Sequence, residues 1–389
     1  MHIFINGLAA SAGGGLTYIR NVVPHLSASG VTSTFLLSAS LRDKLGPWQN
    51  VNYVTAPEKL EILQRFRYEQ REMPALIRQC GADVLVSAGN FALRKSPVPQ
   101  ILLSRNALYL SSDFMRDLRQ RKEYKTWIDT RLRGWFAKRS IGWADVTVAP
   151  SEAFARELRQ WTGRDVISIY HGFDRDSFFG SNLPLPAEIS SRMTSKDGTL
   201  KLLFVSHYNY YRNFETIFRA IALIKHRLPG QTIRLFLTCR LRSDENPGDY
   251  QAEGAAHLIQ QLDIENEIVE LGTVPYELLH HVYSGCDLYV TAAYAETFAH
   301  PLVEAMSSGL PVIASDLEVH REICDGAAVF FARVSPEELA NRIVELHQGL
   351  EQRHRMAQAG GEQSKRFSWS GHVKELLSLA ESLVGGRPA

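Results

Sequence analysis

Short apolar runs alternate with helical patterns along this chain of 389 residues, and they do so in two separate sets. The first set has strand-like runs at residues 2–6, 34–37, 83–87, 100–104, 146–149 and 166–170. The second set has them at residues 200–206, 232–238, 267–272, 287–293, 311–315 and 327–331. Strands that alternate with helices form parallel sheets covered by helices. The pattern therefore predicts an α/β protein with two Rossmann-like, doubly wound domains.

A segment rich in Ser, Pro and Gly, without clear periodicity, separates the two sets. We therefore predict an N-terminal domain over residues 1–178, a linker over 179–198 and a C-terminal domain over 199–370. The last amphipathic stretch, residues 371–389, is a candidate for a helix that crosses back onto the first domain. Ligands of doubly wound sheets bind at the carboxyl ends of the strands. Two such sheets facing each other would share a ligand-binding cleft.

Composition excludes several classes of protein. A net charge of +1 with 45% hydrophobic residues gives no overall bias toward nucleic acid. The four cysteines lie far apart, which argues against a zinc site or a disulfide framework and favours a reducing compartment. The N-terminus, MHIFING, is typical of a first strand and not of a secretion signal, and no run of 18 apolar residues occurs. These features predict a cytoplasmic protein that does not itself cross a membrane.

The segment AETFAHPLVEAMSSGLPVIASD, residues 295–316, holds Glu296 and Glu304 around a predicted helix start. Pro301 suits the first position of a helix, where its missing N–H would have no partner anyway. The free backbone N–H groups of Ala299 and His300 would then face an anion favoured by the helix dipole. Two carboxylates beside an anion site suit a sugar nucleotide. A capped helix with solvated carboxylates is the structural alternative.

This segment resembles the Glu-x7-Glu signature of retaining glycosyltransferases of family 4, which have the two-domain GT-B fold. The likeness continues through the Ala-Met pair after Glu304 and the Gly-Leu-Pro-Val run at residues 309–312. The resemblance implies that Glu304 holds the ribose hydroxyls and that Glu296 contacts the transferred sugar at the reacting face. It also assigns Phe298, Ala299 and His300 to the donor site.

The first strand of the second set is followed by a helical pattern that begins near Arg212 and Asn213. An arginine at a helix N-terminus opposes the dipole unless an anion lies nearby, and its planar fork suits a diphosphate. Family 4 members usually carry a basic pair here, and Arg212 matches its second member. At the first place the chain has Ser206 and His207, so His207, or Arg240 after the next strand, is the candidate substitute. The turn LGTVPYEL resembles the family's base-binding turn, where Val274 would contact the base through its backbone.

In the first set, the glycines Gly14 and Gly15 follow the first strand and precede a helical pattern. They match the Gly-Gly-apolar loop that in family 4 approaches the donor diphosphate and the acceptor. The spaced Gly-x-Gly-x-x-Gly of a dinucleotide site is absent. Where many family members have a histidine, this chain has Arg105 and Asn106. Asn106 is our candidate for a bond to a sugar hydroxyl, with an ordinary turn residue as the alternative.

A fixed metal and a cofactor are not expected. The acidic DxD-type pair that holds a metal diphosphate in other glycosyltransferases does not occur at a plausible strand end. Cationic side chains and helix N-termini would instead stabilise the departing nucleoside diphosphate.

Residues 116–139 contain nine Lys or Arg against three Asp or Glu, interleaved with large apolar side chains. Ile128, Leu132 and Phe136 recur at four-residue steps. One interpretation is a surface helix that buries this stripe in its own domain. The other is a helix that rests on an anionic membrane leaflet, which suits an enzyme with a lipid-linked acceptor. No motif supports nucleic-acid binding.

The sequence therefore predicts a metal-independent retaining hexosyltransferase. Its donor would be a nucleoside diphosphate sugar, of mannose type or similar, and its acceptor a glycan or lipid-linked hydroxyl. Bacterial surface polysaccharide synthesis at the inner face of the cytoplasmic membrane is the expected setting. The alternatives are a nucleotide-sugar epimerase of the same fold and a non-catalytic partner that binds nucleotide sugar or membrane.

Overall fold

The structure is a computed structural model that describes residues 1–10, 13–57, 60, 62–248 and 250–386. The chain divides into two compact units. Unit 1 contains Met1–Leu110, Glu123–Gly172 and Ser368–Ala389, and unit 2 contains Ser111–Lys122 and Phe173–Phe367.

Unit 1 is built on a parallel sheet that has seven strands within the described residues. In chain order they are β1 (His2–Asn6), β2 (Thr32–Ser38), β3 (Val51–Ala56), β4 (Val84–Ser87), β5 (Gln100–Leu103), β6 (Val146–Ala149) and β7 (Ile167–Ser168). Their spatial order is β3-β2-β1-β4-β5-β6-β7. The order reverses at β1 and β4, which is the switch point of a doubly wound sheet.

The helices of unit 1 cover both faces of this sheet. They are α1 (Gly13–Ala28), α2 (Ala39–Leu45), α3 (Ile62–Arg71), α4 (Met73–Gln79), α6 (Tyr124–Ile141), α7 (Glu152–Thr162) and α17 (Trp369–Gly385). Alternate side chains of β1 enter different cores: Ile3 and Ile5 pack in the cluster that includes α1 and α17, and Phe4 packs in the cluster under α4. A strand buried on both faces reads as a continuous apolar run, as β1 does.

Unit 2 is built on a parallel sheet of six strands, counted over the same described ranges. They are β8 (Leu200–Phe204), β9 (Ile233–Leu237), β10 (Ile268–Glu270), β11 (Leu288–Thr291), β12 (Val312–Ser315) and β13 (Ala328–Phe331), in the spatial order β10-β9-β8-β11-β12-β13. Its helices are α5 (Ser112–Gln120), α8 (Arg175–Phe179), α9 (Ala187–Met193), α10 (Phe214–Arg227), α11 (Glu253–Gln261), α12 (Leu279–Ser284), α13 (His300–Ser307), α14 (Glu318–Cys324), α15 (Pro336–Gln348) and α16 (Leu350–Ser364). The prediction of two Rossmann-like α/β sheets is confirmed.

The structure differs from the sequence-based expectation in several local features. Strand β3 was not predicted, because VNYVTA is a half-buried edge strand that mixes polar and apolar residues. The segment predicted as a linker contains α9 and part of α8, so it is not structureless. Helix α5 lies in unit 2, although its residues fall within the predicted N-terminal domain. Helix α17 belongs to unit 1, where it packs against α1.

No helix within the described residues is both long enough and apolar enough to span a bilayer.

The backbone at the start of α17 passes very close to Gly172, the last residue of the second segment of unit 1. A Cβ built on Gly172 would lie 2.1 Å from the backbone nitrogen of Trp369, and Ser368 blocks the same space. Because both obstacles are backbone atoms, they cannot yield as a flexible side chain would. The close packing of the start of α17 on residue 172 therefore requires a glycine at this position.

We expect Gly172→Ala to lower the free energy of unfolding by about 1–3 kcal/mol or more through this overlap. Urea unfolding followed by circular dichroism measures the change. Gly361→Ala in α16 is the matched control, because its added Cβ meets nothing within 4 Å. The control should be neutral or stabilising by up to about 1 kcal/mol, since alanine favours a helix. Equal stability of Gly172→Ala and the unchanged chain would contradict this packing.

Candidate functional site

The candidate donor-site residues of unit 2 follow neighbouring strands. Strand β8 pairs with β11, and β11 pairs with β12, all in parallel. The loops that leave their carboxyl ends therefore start side by side. The loop after β8 carries His207 and Arg212, and the loop after β11 carries Glu296 and leads into α13.

Arg212 and Glu296 form an ion pair in which Nη1 of Arg212 donates to Oε1 of Glu296. Their side chains are only 19% and 10% exposed, so water screens the pair little. Nε of Arg212 is buried and has no hydrogen-bond partner among the described residues. The guanidinium therefore retains donor capacity for an additional acceptor.

Backbone contacts hold the two loops together around this pair. The N–H of Tyr294 donates to the carbonyl of Tyr211 at 3.0 Å. The side-chain amide of Asn213 donates to the carbonyls of Ala292, at 3.2 Å, and of Arg333, at 2.7 Å. Asn213 adopts a left-handed conformation, φ 55°, which asparagine tolerates better than most residues. The position of Arg212, two residues before α10, is thus fixed by the loop that carries Glu296.

Helix α13 begins after Ala299, which also has a left-handed backbone, with φ 62° and ψ 65°. Such a conformation is costly for alanine, and strained residues of this kind cluster at functional sites. Pro301 lies at the start of the helix as predicted. The ring of His300 packs on that of Phe298 with 4.9 Å between centroids. Phe298 packs on Phe367 in turn, so the turn before α13 is anchored in the core of unit 2.

Glu304 is a buried carboxyl on α13, 5% exposed. The hydroxyl of Tyr283 donates to its Oε2 at 2.8 Å. Burial raises the pKa of Glu304 to about 7, although hydrogen bonds from Tyr283 and Tyr276 act in the opposite direction. The alternative interpretation, a capped helix whose carboxylates are solvated, is therefore wrong for Glu304.

The two candidates for a second cation differ in their surroundings. Arg240 is engaged with the carboxylates of Glu188, at 2.9 Å, and Glu245, at 3.6 Å. His207 is exposed, and partial desolvation together with the charge of Arg212 lowers its pKa. His207 is therefore neutral at pH 7. Of the two candidates, however, it is His207 whose pKa the charge of Arg212 affects. Val274 is buried in the turn between β10 and α12.

Helix α5 contacts the loops of the candidate site through a polar network that the sequence did not reveal. Asp117 accepts from the hydroxyl of Tyr294 at 2.8 Å and from Nε of Arg121 at 2.9 Å. Arg121 also pairs with Glu215 of α10 at 2.8 Å. Asp113 pairs with Arg333 at 2.8 Å. Since Tyr294 lies two residues before Glu296, α5 supports the loop that carries that carboxylate.

Unit 1 places its candidate residues after β1 and β5. Gly14 and Gly15 lie in the first turn of α1 and not in a loop before it. A Cβ on Gly15 would lie 3.0 Å from Cα of Ala10, whereas one on Gly14 would meet nothing within 4 Å. Asn106 caps a 3₁₀ turn, and its Oδ1 accepts from the N–H of Leu108 at 3.0 Å. Arg105 reaches the carbonyl of Gly14 at 3.4 Å and stacks on Tyr18.

His320 of α14 was also missed, since a lone histidine carries no sequence signal. Its Nδ1 lies 2.8 Å from the carbonyl of Ser315, to which it must donate. Burial and the charge of Arg212 lower its pKa to about 4, so the ring is neutral. The part of the chain that the structure describes has no group of three or more His, Cys, Asp or Glu side chains placed to hold a metal ion.

Two family profiles match this chain. The profile described as Glycosyltransferase Family 4 matches residues 12–177, and the one described as Glycosyl transferases group 1 matches residues 187–363. The two matches do not overlap, and together they span most of both sequence halves. The chain belongs to the family 4 glycosyltransferases. The resemblance drawn from the Glu-x7-Glu segment is thereby confirmed at the level of the family.

Several curated relatives are also named as glycosyltransferases or mannosyltransferases. A D-inositol 3-phosphate glycosyltransferase of Nocardia farcinica is 26% identical over 62% of this chain and 53% of its own length. A phosphatidyl-myo-inositol mannosyltransferase of Mycobacterium leprae is 26% identical over 65% of this chain and 62% of its own. An Escherichia coli O-antigen chain mannosyltransferase B is 30% identical, over 32% of this chain and 33% of its own. The chain spans about half the length of the D-inositol 3-phosphate glycosyltransferases that it matches, from 41% to 60%.

Solved structures agree in fold over almost the full chain. A glycosyltransferase from Rickettsia africae superimposes with a TM-score of 0.75 at 14% identity, covering 99% of both chains. Anabaena HepE in complex with UDP-glucose gives 0.72 at 18% identity, covering 98% of this chain and all of that one. At these identities the likeness shows the GT-B fold alone.

The buried carboxyl of Glu304 predicts a pH-dependent stability. Its pKa is about 7 in the folded protein and 4.5 in the reference state, so the folded protein retains a proton that the unfolded chain loses as pH rises between these values. The contribution of Glu304 to stability is therefore fully present below pH 4.5 and is lost as pH rises through 7. The loss amounts to about 3 kcal/mol.

Glu304→Gln removes this titration and keeps the size of the side chain. We expect the difference in unfolding free energy between the variant and the unchanged protein to shift in favour of the variant from pH 5 to pH 8. Urea unfolding at several pH values measures the difference, and the comparison cancels the histidines that both proteins share. A difference that stays constant with pH would contradict the raised pKa.

Proposed function

We propose that this chain is a retaining glycosyltransferase that moves a hexose from a nucleoside diphosphate sugar to a hydroxyl of a glycan or lipid-linked acceptor. The observation that carries the proposal is the Arg212–Glu296 ion pair, which lies at the carboxyl edge of the unit 2 sheet, where the loop after β11 leads to the buried Glu304. A cation with spare donors and two carboxyl groups suit a ligand that has both phosphates and hydroxyls.

In this proposal each residue of unit 2 has a separate role. Glu304 holds the ribose hydroxyls, and Val274 contacts the base through its backbone. Arg212 and the N-terminus of α13 at Ala299 and His300 bind the diphosphate. Support for the donor class comes from HepE, which was solved with UDP-glucose, and from relatives named as mannosyltransferases. The names of those relatives also support a mannose-type sugar and a surface glycan as the setting.

The chemistry breaks the bond between C1 of the sugar and the phosphate oxygen and forms a bond from C1 to the acceptor oxygen on the same face. The departing phosphate accepts the proton of the acceptor hydroxyl. Arg212 would stabilise the charge that develops on this phosphate, which is the role of a metal ion in other glycosyltransferases. Glu296 would position the sugar and stabilise positive charge at C1.

We expect Arg212→Ala and Glu296→Gln to reduce turnover tenfold or more, about 1.4 kcal/mol of barrier per decade. The two should differ in donor binding. Arg212→Ala removes a phosphate contact and so weakens the binding of the nucleoside diphosphate. Glu296→Gln retains a hydrogen-bonding group at the sugar, so the affinity for the nucleoside diphosphate should stay nearly unchanged. Calorimetry with UDP, GDP and ADP, followed by turnover with the sugar conjugates of the diphosphate that binds, measures both.

Arg219→Ala is the matched control, because Arg219 is exposed on α10, the helix that follows Arg212. Turnover equal to that of the control in both site variants would refute the site assignment. Donor conversion without any acceptor would favour the epimerase. Nucleotide binding without turnover on any acceptor would favour the non-catalytic partner.

A second part of the proposal concerns α6. The stretch 116–139 is not one helix, because α5 ends at Gln120 in unit 2 and α6 begins at Tyr124 in unit 1. The buried residues of α6 are Ile141 and several small residues, including Gly134, which packs on Tyr109. Five large apolar side chains of α6 are exposed: Tyr124, Ile128, Leu132, Trp135 and Phe136. The interpretation that Ile128, Leu132 and Phe136 are buried in their own domain is therefore wrong.

These five side chains are five of the eleven large apolar side chains exposed within the described residues. Tyr124, Ile128, Leu132 and Trp135 form one stripe, with cations on both sides of it and a single acidic residue, Asp129, in the whole helix. That acid is paired with Arg133 at 2.7 Å. We propose that this stripe, called the α6 stripe below, rests on an anionic membrane leaflet at the inner face of the cytoplasmic membrane.

We expect the double variant Ile128→Ser/Leu132→Ser to weaken binding to vesicles that contain phosphatidylglycerol at least tenfold, because two exposed apolar side chains no longer enter the interface. Co-sedimentation with vesicles measures the change. Leu183→Ser/Leu350→Ser is the control, since both leucines are exposed and belong to unit 2, whereas α6 belongs to unit 1. Equal binding by the two double variants would contradict the membrane contact.

A further inference from the structure

A cavity of about 590 Å³ lies at the end of α6 in unit 1. Two tryptophans, Trp135 and Trp143, and three cations, Lys138, Arg139 and Arg164, line it. Trp143 precedes β6 and Arg164 precedes β7, so the cavity lies at the amino-terminal edge of the sheet. The candidate residues Gly14 and Asn106 follow strands and lie at the opposite edge. The cavity is therefore separate from the candidate residues of unit 1.

The three cations have no acidic partner among the described residues. Two of them instead contact aromatic rings. Cζ of Arg139 lies 5.2 Å from the ring centroid of Trp135, and Nζ of Lys138 lies 5.6 Å from the ring centroid of Trp161. Elsewhere on the surface the arginines Arg159, Arg192 and Arg321 are paired with carboxylates. The cavity thus concentrates positive charge that the surrounding protein does not neutralise.

Helix termini explain part of this arrangement. Lys138 and Arg139 occupy the last turn of α6, and Arg164 follows Gly163, which caps α7. Cations at helix C-termini complement the macrodipole. That explanation requires neither a cavity nor a pair of tryptophans in its wall. Tryptophan beside arginine and lysine is the composition of a membrane interface, where an indole ring lies at the level of the lipid headgroups.

The cavity is also continuous with the α6 stripe. Trp135 is the last member of the stripe and part of the cavity wall. A leaflet that meets Tyr124, Ile128 and Leu132 would therefore bring headgroups to the mouth of the cavity. Arginine and lysine both bind phosphate, and the planar fork of arginine can donate two hydrogen bonds to it.

We propose that this cavity binds the phosphate of an anionic phospholipid headgroup, with Lys138, Arg139 and Arg164 as its ligands. The proposal rests on the membrane contact proposed for the α6 stripe and adds to it a specific lipid site. Charge attraction alone would respond to any negative surface. A headgroup site instead distinguishes a phosphate-bearing lipid from another anionic lipid at equal surface charge.

The test uses the full chain and vesicles of digalactosyldiacylglycerol, a neutral lipid without phosphate, mixed with phosphatidylglycerol or, at equal measured zeta potential, with oleate. The pocket variant is Lys138→Gln/Arg164→Gln. The control variant is Lys125→Gln/Arg131→Gln, which removes the same charges from the flanks of the α6 stripe outside the cavity. We expect the unchanged protein to prefer phosphatidylglycerol over oleate. The pocket variant should lose this preference and bind phosphatidylglycerol vesicles at least tenfold more weakly than the control variant does.

Each other outcome overturns the headgroup site in a distinct way. Equal losses in the pocket and control variants, with Ile128→Ser/Leu132→Ser still defective, would leave the membrane contact standing and refute the cavity. No vesicle binding by the unchanged protein would refute both. Protection from thermal unfolding by inorganic phosphate at constant ionic strength, lost in the pocket variant while vesicle binding is unaffected, would assign the cavity to a soluble anion.

Discussion

Parallel pairing of β8, β11 and β12 is the constraint on which the candidate donor site depends. Because the three strands run in the same direction, the loops that leave them start at one edge of the sheet. Residues separated by 84 positions, Arg212 and Glu296, can then form an ion pair. The hydrogen bonds from Asn213 and Tyr294 fix the two loops further. The order of the strands thus determines which side chains of the candidate site can meet.

Burial then determines how these charges behave. Glu304 is enclosed by α13 and Tyr283, which favours its protonated form near neutral pH. Glu296 faces a guanidinium, so its charge is compensated in the same environment. Two carboxyl groups of one short segment therefore have different electrostatic surroundings. Such divergence is a recurring property of sites that perform chemistry, where each group needs its own protonation state.

Sequence reasoning identified what depends on local patterns. Periodicity located the strands of unit 2, and Pro301 located the start of α13, because those signals need no knowledge of neighbours. It missed β3, whose edge position gives no apolar run, and it could not place α5 in unit 2. The contacts of Asp117 with Tyr294 join residues 177 positions apart. Only the fold determines such pairings, so the support of the Glu296 loop by α5 was beyond the reach of a single sequence.

Helix α6 shows how a periodic pattern can be read with the wrong face inward. Ile128, Leu132 and Phe136 recur at helical spacing, which normally marks the buried side. Here the small residue Gly134 allows the helix to pack closely on Tyr109, and the large side chains are left outside. Neighbouring apolar side chains on a surface mark a site of interaction with a protein or a membrane, or else favour aggregation. Flanking cations and the single acidic residue of the helix are the reason for our proposal that an anionic surface covers these side chains.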